Sequence, residues 1–161
     1  MTTSFLREIP LFAGLTGEEL HLVEQIGQLE RYSVGHVIFD EHSIGDAMYI
    51  VQRGQVEIQM APPPGSEKAG EPRTIATVEP GDVFGEISLV DQGLRTARAL
   101  CTRPTLLVVF RREDVLRLAD EHPRIGYTLM RNVAEALAFK LRSTDLTLGY
   151  ALAQERQIEA Y

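Results

Sequence analysis

Apolar and polar positions change period twice along the chain. Residues 5–27 read as helix: Phe5, Leu6 and Ile9 form a short first turn that stops at Pro10, and Thr16 followed by Glu19 is a capping-box pattern. Behind that cap Leu20, Val23, Glu24 and Ile26 approximate one face, which predicts a packing helix with His21 on its solvated edge. From Gln28 the period shortens. Arg31–Ser33, His36–Phe39, Ala47–Gln52, Val56–Met60, Thr74–Val78, Val83–Phe84, Arg95–Cys101 and Thr105–Phe110 read as strands, punctuated by turns at Val34-Gly35, Ile44-Gly45-Asp46, Gly54 and Pro80-Gly81. Val56, Ile58 and Met60 alternate with Glu57 and Gln59, the signature of a strand with one wet face. Ala61–Pro72 holds four prolines and two glycines and reads as a surface loop within a hairpin.

From Arg111 the helical period returns. Val115, Leu116, Leu118 and Ala119 predict a short helix ending near His122, and Pro123 suits the first position of the next. In that helix Ile125, Leu129, Val133, Leu137 and Leu141 recur every four residues, and the pattern runs past Thr144. The strand series predicts a mainly β fold, a barrel or jelly-roll sandwich over residues 28–110, with an N-terminal helical segment over 1–27 and C-terminal helices over 111–161; the form expected is an eight-stranded jelly-roll β-barrel (double-stranded β-helix). The apolar stripe is longer than one barrel needs to cover itself, so a homodimer through the long helix is expected, with folding back on its own barrel as the alternative.

Composition narrows the function classes. The net charge of −7 and pI near 5.1 argue against a nucleic-acid-binding surface, which needs a basic footprint. The single cysteine, Cys101, permits no internal disulfide and fits a cytoplasmic protein with a buried, inert thiol. Met1–Pro10 lacks the pattern of a signal peptide, and no apolar run approaches a membrane span. His36 and His42 lie six apart without an intervening ligand, and His21 and His122 fall on predicted helices, so no metal site is expected. Neither a nucleophile elbow nor a phosphate-binding P-loop is present, and no catalytic residue is assigned.

The candidate chemistry lies in Phe84–Ala99, F-G-E-I-S-L-V-D-Q-G-L-R-T-A-R-A, which interrupts the strand series with its only helical turn. Gly85 allows close approach to the backbone, a helix start offers unpaired N–H groups, and Arg95, entering the next strand, carries a planar fork suited to two phosphate oxygens. Glu86 does not bind phosphate and must serve a hydroxyl or a cation. Singly, each residue also fits an ordinary surface role: Arg95 as an exposed strand arginine, Glu86 as a helix-start carboxylate, Gly85 as a turn.

Taken together, these residues identify a resemblance to the cyclic nucleotide-binding domain family. It spans residues 8–145 and is carried by P-L-F-A-G-L at 10–15, Asp46 with its turn glycine, M-Y-I-V-Q-R-G-Q-V at 48–56, P-G-D-V-F-G-E-I-S-L at 80–89 and R-T-A at 95–97. The resemblance implies that Arg95 grips the cyclic phosphate, helped by backbone N–H groups near Ile87, Ser88 and Ala97. Glu86 would accept from the ribose 2′-hydroxyl, with Gly85 giving room, and Thr96 would add a hydroxyl to the phosphate or base. Ile58, Ile75 and Val83 match cavity-lining positions. Thr144 falls where some bacterial relatives place a hydroxyl on the base, with Ser143 or Asp145 as alternatives in register. Retention of both Arg95 and Glu86 favours a functioning site.

The ligand implied is cAMP or cGMP, with a slight preference for cAMP, and the module would act without catalysis. Bacterial regulators of this family carry a helix-turn-helix domain after the long helix. Leu146–Tyr161 is too short for one, so a free-standing module is expected that moves its C-terminal helices and acts on an effector protein yet to be identified. A nucleotide-independent dimerisation scaffold is the runner-up, and a cupin-type barrel enzyme ranks last.

Overall fold

The computed structural model describes residues 2–62 and 72–158, with side chains described as far as residue 145. Helix α1 (Thr3–Arg7) and a 3-10 turn (Pro10–Phe12) precede α2 (Gly17–Ile26). The Thr16–Glu19 capping box forms in both directions at the start of α2. Leu20 and Val23 of α2 are buried and His21 is exposed.

Eight strands follow: β1 (Gly27–Tyr32), β2 (Val37–Phe39), β3 (Ala47–Arg53), β4 (Val56–Met60), β5 (Arg73–Val78), β6 (Val83–Phe84), β7 (Arg98–Cys101) and β8 (Thr105–Arg111). They form two antiparallel four-stranded sheets, ordered β1-β8-β3-β6 and β2-β7-β4-β5, which is the expected jelly-roll architecture. Between β6 and β7 lies the short helix α3 (Ile87–Val90); α4 (Arg112–Glu121) and α5 (Pro123–Ile158) complete the chain. The long helix opens at Pro123 and continues past Thr144, as its apolar period predicts. No described helix is long and apolar enough to cross a membrane.

Two sequence expectations need correction. The first strand begins at Gly27, not Arg31, because all of Gly27–Tyr32 pairs with Phe110–Thr105 of β8. Arg95 lies ahead of β7, which starts only at Arg98; the Arg95 backbone is instead pinned to a turn, donating to Ser43 O at 2.7 Å while its carbonyl accepts from His42 N–H at 2.8 Å. The hairpin read around Ala61–Pro72 exists as the β4–β5 pair, and residues 63–71 of its loop lie outside the described residues.

β8 and the Ala47–Val51 part of β3 are buried almost throughout, whereas in β4 only Val56 is fully buried. Each separates two apolar cores. Ala47, Tyr49, Val51, Leu107 and Val109 face the barrel interior with Phe84, Ala99 and Cys101. Met48, Ile50, Val108 and Phe110 face outward against Leu6, Phe12, Leu20, Val115, Ile125, Leu129 and Val133. The alternation is thus intact, with both faces dry. This second core clamps the first turns of α5 onto the barrel. Farther along the stripe Leu137 is partly buried and Leu141 is 63% exposed, so the stripe outruns the barrel.

Candidate functional site

The chain leaves β6 at Phe84, held by the Tyr49–Phe84 pairing, and turns through Gly85 at φ +71°. A Cβ at Gly85 would stand 2.7 Å from Arg95 Nη1 and 3.3 Å from Ala47 O, so both the conformation and the space demand glycine here. Glu86 then caps α3 without any side-chain bond to the helix N–H groups. Ser88 Oγ lies 2.7 Å from Gly85 O and 2.9 Å from Ala47 O, tying α3 to β3, and its N–H donates to Gly85 O at 3.3 Å. Gly45 completes the close packing: a Cβ there would meet Ser88 Cβ at 2.9 Å.

Arg95 is folded inward and only 6% exposed. Its Nη2 donates to Ala47 O at 2.7 Å and its Nη1 to Gly85 O at 3.1 Å, while its buried Nε has no partner. Phe39 and Tyr49 present ring faces at 4.2 and 5.7 Å from its Cζ. Among the described ion pairs none involves Arg95. Burial pulls its pKa below the usual arginine value, partly offset by Tyr49, Asp46 and Glu86, yet an arginine remains charged at neutral pH. Among the described residues this buried guanidinium is held by carbonyl dipoles and π faces without a contacting carboxylate, and its chemistry suits an anion.

This cation borders a cavity of about 660 Å³, within the range of small-ligand sites. The structure brings Gly85, Glu86, Ile87, Ser88, Arg95, Thr96, Ala97, Ile58, Ile75, Val83 and Thr144 together around it, with Ser143 beside Thr144. Asp145 is not among its lining residues. Ile75 is 56% exposed on the edge strand β5, so it borders the mouth rather than the floor. Thr144 Oγ1 donates to Lys140 O at 2.9 Å and Ser143 Oγ to Phe139 O at 3.0 Å, so both hydroxyls bond within their own helix while facing the cavity.

Glu86 is 4% exposed and pairs with Lys140 Nζ from α5 at 2.5 Å. Sequence reading missed Lys140; its spacing of four from Thr144, one helical turn, was the available signal. It also missed Phe39, Tyr49 and the Ala47 carbonyl, whose relation to Arg95 arises only when β2 and β3 fold over the cassette. Cys101 lies buried in β7, where burial raises its thiol pKa.

The sequence profile of the cyclic nucleotide-binding domain matches residues 29–122. The chain is 37% identical over 146 residues to the cyclic AMP receptor protein of Thermus thermophilus, covering 91% of this chain and 63% of that protein. It is 31% identical over 103 residues to the cGMP-dependent protein kinase, isozyme 1, of Drosophila melanogaster, covering 64% of this chain and 13% of the kinase. The chain thus spans less than two thirds of the length of either relative. Among solved structures, the Thermus thermophilus catabolite activator protein superposes with a TM-score of 0.76 at 37% identity, over 87% of this chain and 62% of that one. The regulatory domain of Toxoplasma gondii PKA, solved with cAMP, shares the fold at a TM-score of 0.70 and 23% identity, over 88% of this chain and 48% of that one. Since the profile covers more than half of the 161 residues and includes the cavity-forming cassette, the chain belongs to the cyclic nucleotide-binding domain family.

Proposed function

We propose that this protein is a cyclic nucleotide receptor, binding cAMP or cGMP at the barrel cavity and acting through its C-terminal helices without catalysis. The observation that carries the reading is Arg95: buried, with no contacting carboxylate among the described ion pairs, its Nε without a partner, at the wall of a nucleotide-sized cavity. A singly charged cyclic phosphate answers that guanidinium. Glu86 then accepts from the ribose 2′-hydroxyl, the one ribose hydroxyl that a 3′,5′-cyclic phosphate leaves free. Ile87, Ser88, Thr96 and Ala97 form the phosphate surround. Ile58, Ile75 and Val83 give the base and sugar their apolar wall, and Thr144 on α5 offers a hydroxyl to the base.

Ligand contact on both the cassette and α5 supplies the differential binding that a switch requires: a nucleotide touching both elements favours one placement of the helix over another. The response passes to a partner subunit or an effector protein, in the cytoplasm. Thermal unfolding of nucleotide-free protein tests the reading. Millimolar cAMP or cGMP raises the midpoint by several degrees if binding is specific, and leaves it unmoved if the cavity does not bind nucleotide.

A second reading, a nucleotide-independent scaffold dimerising through α5, draws on exposed Tyr127, Phe139 and Leu141 along that helix. It predicts no ligand-induced shift.

A further inference from the structure

Each of the two sheets ends in two edge strands, and the four edges are not alike. β6 holds two residues and β2 three, too short to template a further strand. β1 carries Glu30 and Arg31 in sequence, charges of the kind that keep an edge solvated. β5 is protected by neither shortness nor charge. It has six residues, and Thr74-Ile75-Ala76-Thr77-Val78 runs without a charge, a proline or a glycine. Its first five residues are exposed, and among the described backbone hydrogen bonds it pairs with β4 alone. The one irregularity is a bulge: Ala76 faces Ile58 and Thr74 faces Gln59, so Ile75 is skipped and stands 56% exposed.

Opposite charges flank this neutral run. Arg73 joins no described ion pair. Glu79, one residue past the strand, accepts from Gln55 Nε2 at Oε1 over 3.3 Å, which leaves Oε2 for a second donor. Consider a second copy laid antiparallel along the same edge, with the two-fold axis at Ala76. Ala76 then faces Ala76 of the second copy, Ile75 faces Thr77, and Thr74 faces Val78. Arg73 of each chain faces Glu79 of the other, once at each end. Moving the axis by one residue in either direction breaks both charge pairs. Cross-strand pairs of opposite charge are stabilising and like charges are not, so the flanking residues select this register.

We propose that the exposed edge of β5 is a self-association surface, on which a second copy of this chain adds its own β5 antiparallel about Ala76. The contact is isologous, the form that closes at two subunits. It runs the β2-β7-β4-β5 sheet of one chain into the same sheet of the other. The backbone N–H and C=O groups of the two edges satisfy one another, and each Ile75 gains a neighbour across the axis. Ile75, Ala76, Thr77 and Val78 also border the cavity of about 660 Å³, so the contact sets two such cavities about one axis. The surface is distinct from the α5 stripe and adds to any contact made there. A strand pair of this length belongs to the small, transient interfaces, populated at protein concentrations on the order of 100 μM rather than in dilute solution.

The experiment is oxidative crosslinking of the full chain at about 200 μM with copper phenanthroline, in a range suited to a transient contact. All variants carry Leu141→Asp, so that product reports β5 and not the α5 stripe. Yields are normalised to thiol labelling by a soluble maleimide. Cys101 is 1% exposed, so the background protein is expected to give no crosslinked dimer. Facing Cα atoms of an antiparallel pair lie about 4.5–5.5 Å apart, within disulfide reach. Ala76→Cys is therefore expected to crosslink. Thr74→Cys lies about 13 Å along the strand from its own mate and is expected to give at least about fivefold less. Adding Arg73→Glu to Ala76→Cys lowers the yield by about fivefold, and Glu79→Arg on top of it restores the yield. Equal yields from Ala76→Cys and Thr74→Cys overturn the proposal, since random collision gives that result. Absence of product from Ala76→Cys overturns it as well and leaves the edge to a different partner. So does a loss with Arg73→Glu that Glu79→Arg does not reverse, which removes the register on which the contact is built.

Discussion

The Arg95 guanidinium carbon stands 4.2 Å from the centroid of the Phe39 ring, the closer of two aromatic faces that hold the cation in the barrel wall. Phe39 belongs to β2, which pairs with β7 just beyond the cassette, so the ring is fixed by the sheet rather than by a ligand. Phe39→Leu removes the π face and its contacts to Tyr49 and Phe84. It is expected to lower stability by about 1–2 kcal/mol in urea denaturation, whereas Phe39→Tyr, which keeps the ring, stays close to the parent.

Asn132 of α5 donates to both Leu11 O and Ala13 O at 2.9 Å and is 7% exposed. One amide thus satisfies two carbonyls at the end of the 3-10 turn and fastens the N-terminal segment to the long helix. Asn132→Ala leaves both carbonyls without that donor and is expected to cost about 1–3 kcal/mol by urea denaturation. Asn132→Asp, which cannot donate when ionised, is at least as costly at neutral pH.

The cassette was readable in sequence because its parts are local: a glycine, a carboxylate and an arginine within Phe84–Ala99, each at a spacing that one turn of chain determines. The barrel was readable from its turns and its short apolar runs. The double burial of β3 and β8 was not, since a strand dry on both faces has no polar alternation to display. The start of β1 was missed for a related reason: Gln28 and Glu30 are polar, and only pairing with β8 makes that stretch a strand. The one-turn spacing from Thr144 points Lys140 toward the cavity, but its pairing with Glu86 was not readable, because no local rule links a cassette residue to one 54 positions on.

Glu19 gives a pH signature. The side-chain bond from Arg124, the Thr16 N–H and the Arg124 charge hold its carboxyl below the ordinary value of 4.5. In the unfolded chain the group returns to that ordinary value, so the unfolded state takes up the proton first as pH falls. The stabilisation is therefore complete above the unfolded value and disappears as pH drops through the lowered folded one. Urea midpoints measured from about pH 6 to pH 3 are expected to fall less steeply in Glu19→Gln than in the parent.

Leu141 continues the stripe that Ile125, Leu129 and Val133 begin, but is 63% exposed. If α5 pairs with a second copy, Leu141→Asp places a charge in that contact. Sedimentation velocity is expected to show a dimer for the parent and a monomer for the variant, with nucleotide affinity changed by less than threefold if the cavity is self-contained.

The central claim is that Arg95 is an anion-binding cation awaiting a cyclic phosphate. Calorimetric titration of nucleotide-free parent protein and of Arg95→Ala with cAMP and cGMP tests it most directly. The account predicts saturable binding of at least one nucleotide by the parent and a loss of about a hundredfold or more in Arg95→Ala, with the variant still folded by circular dichroism. Equal affinity of the two proteins, or no binding heat from the parent at millimolar nucleotide, contradicts it.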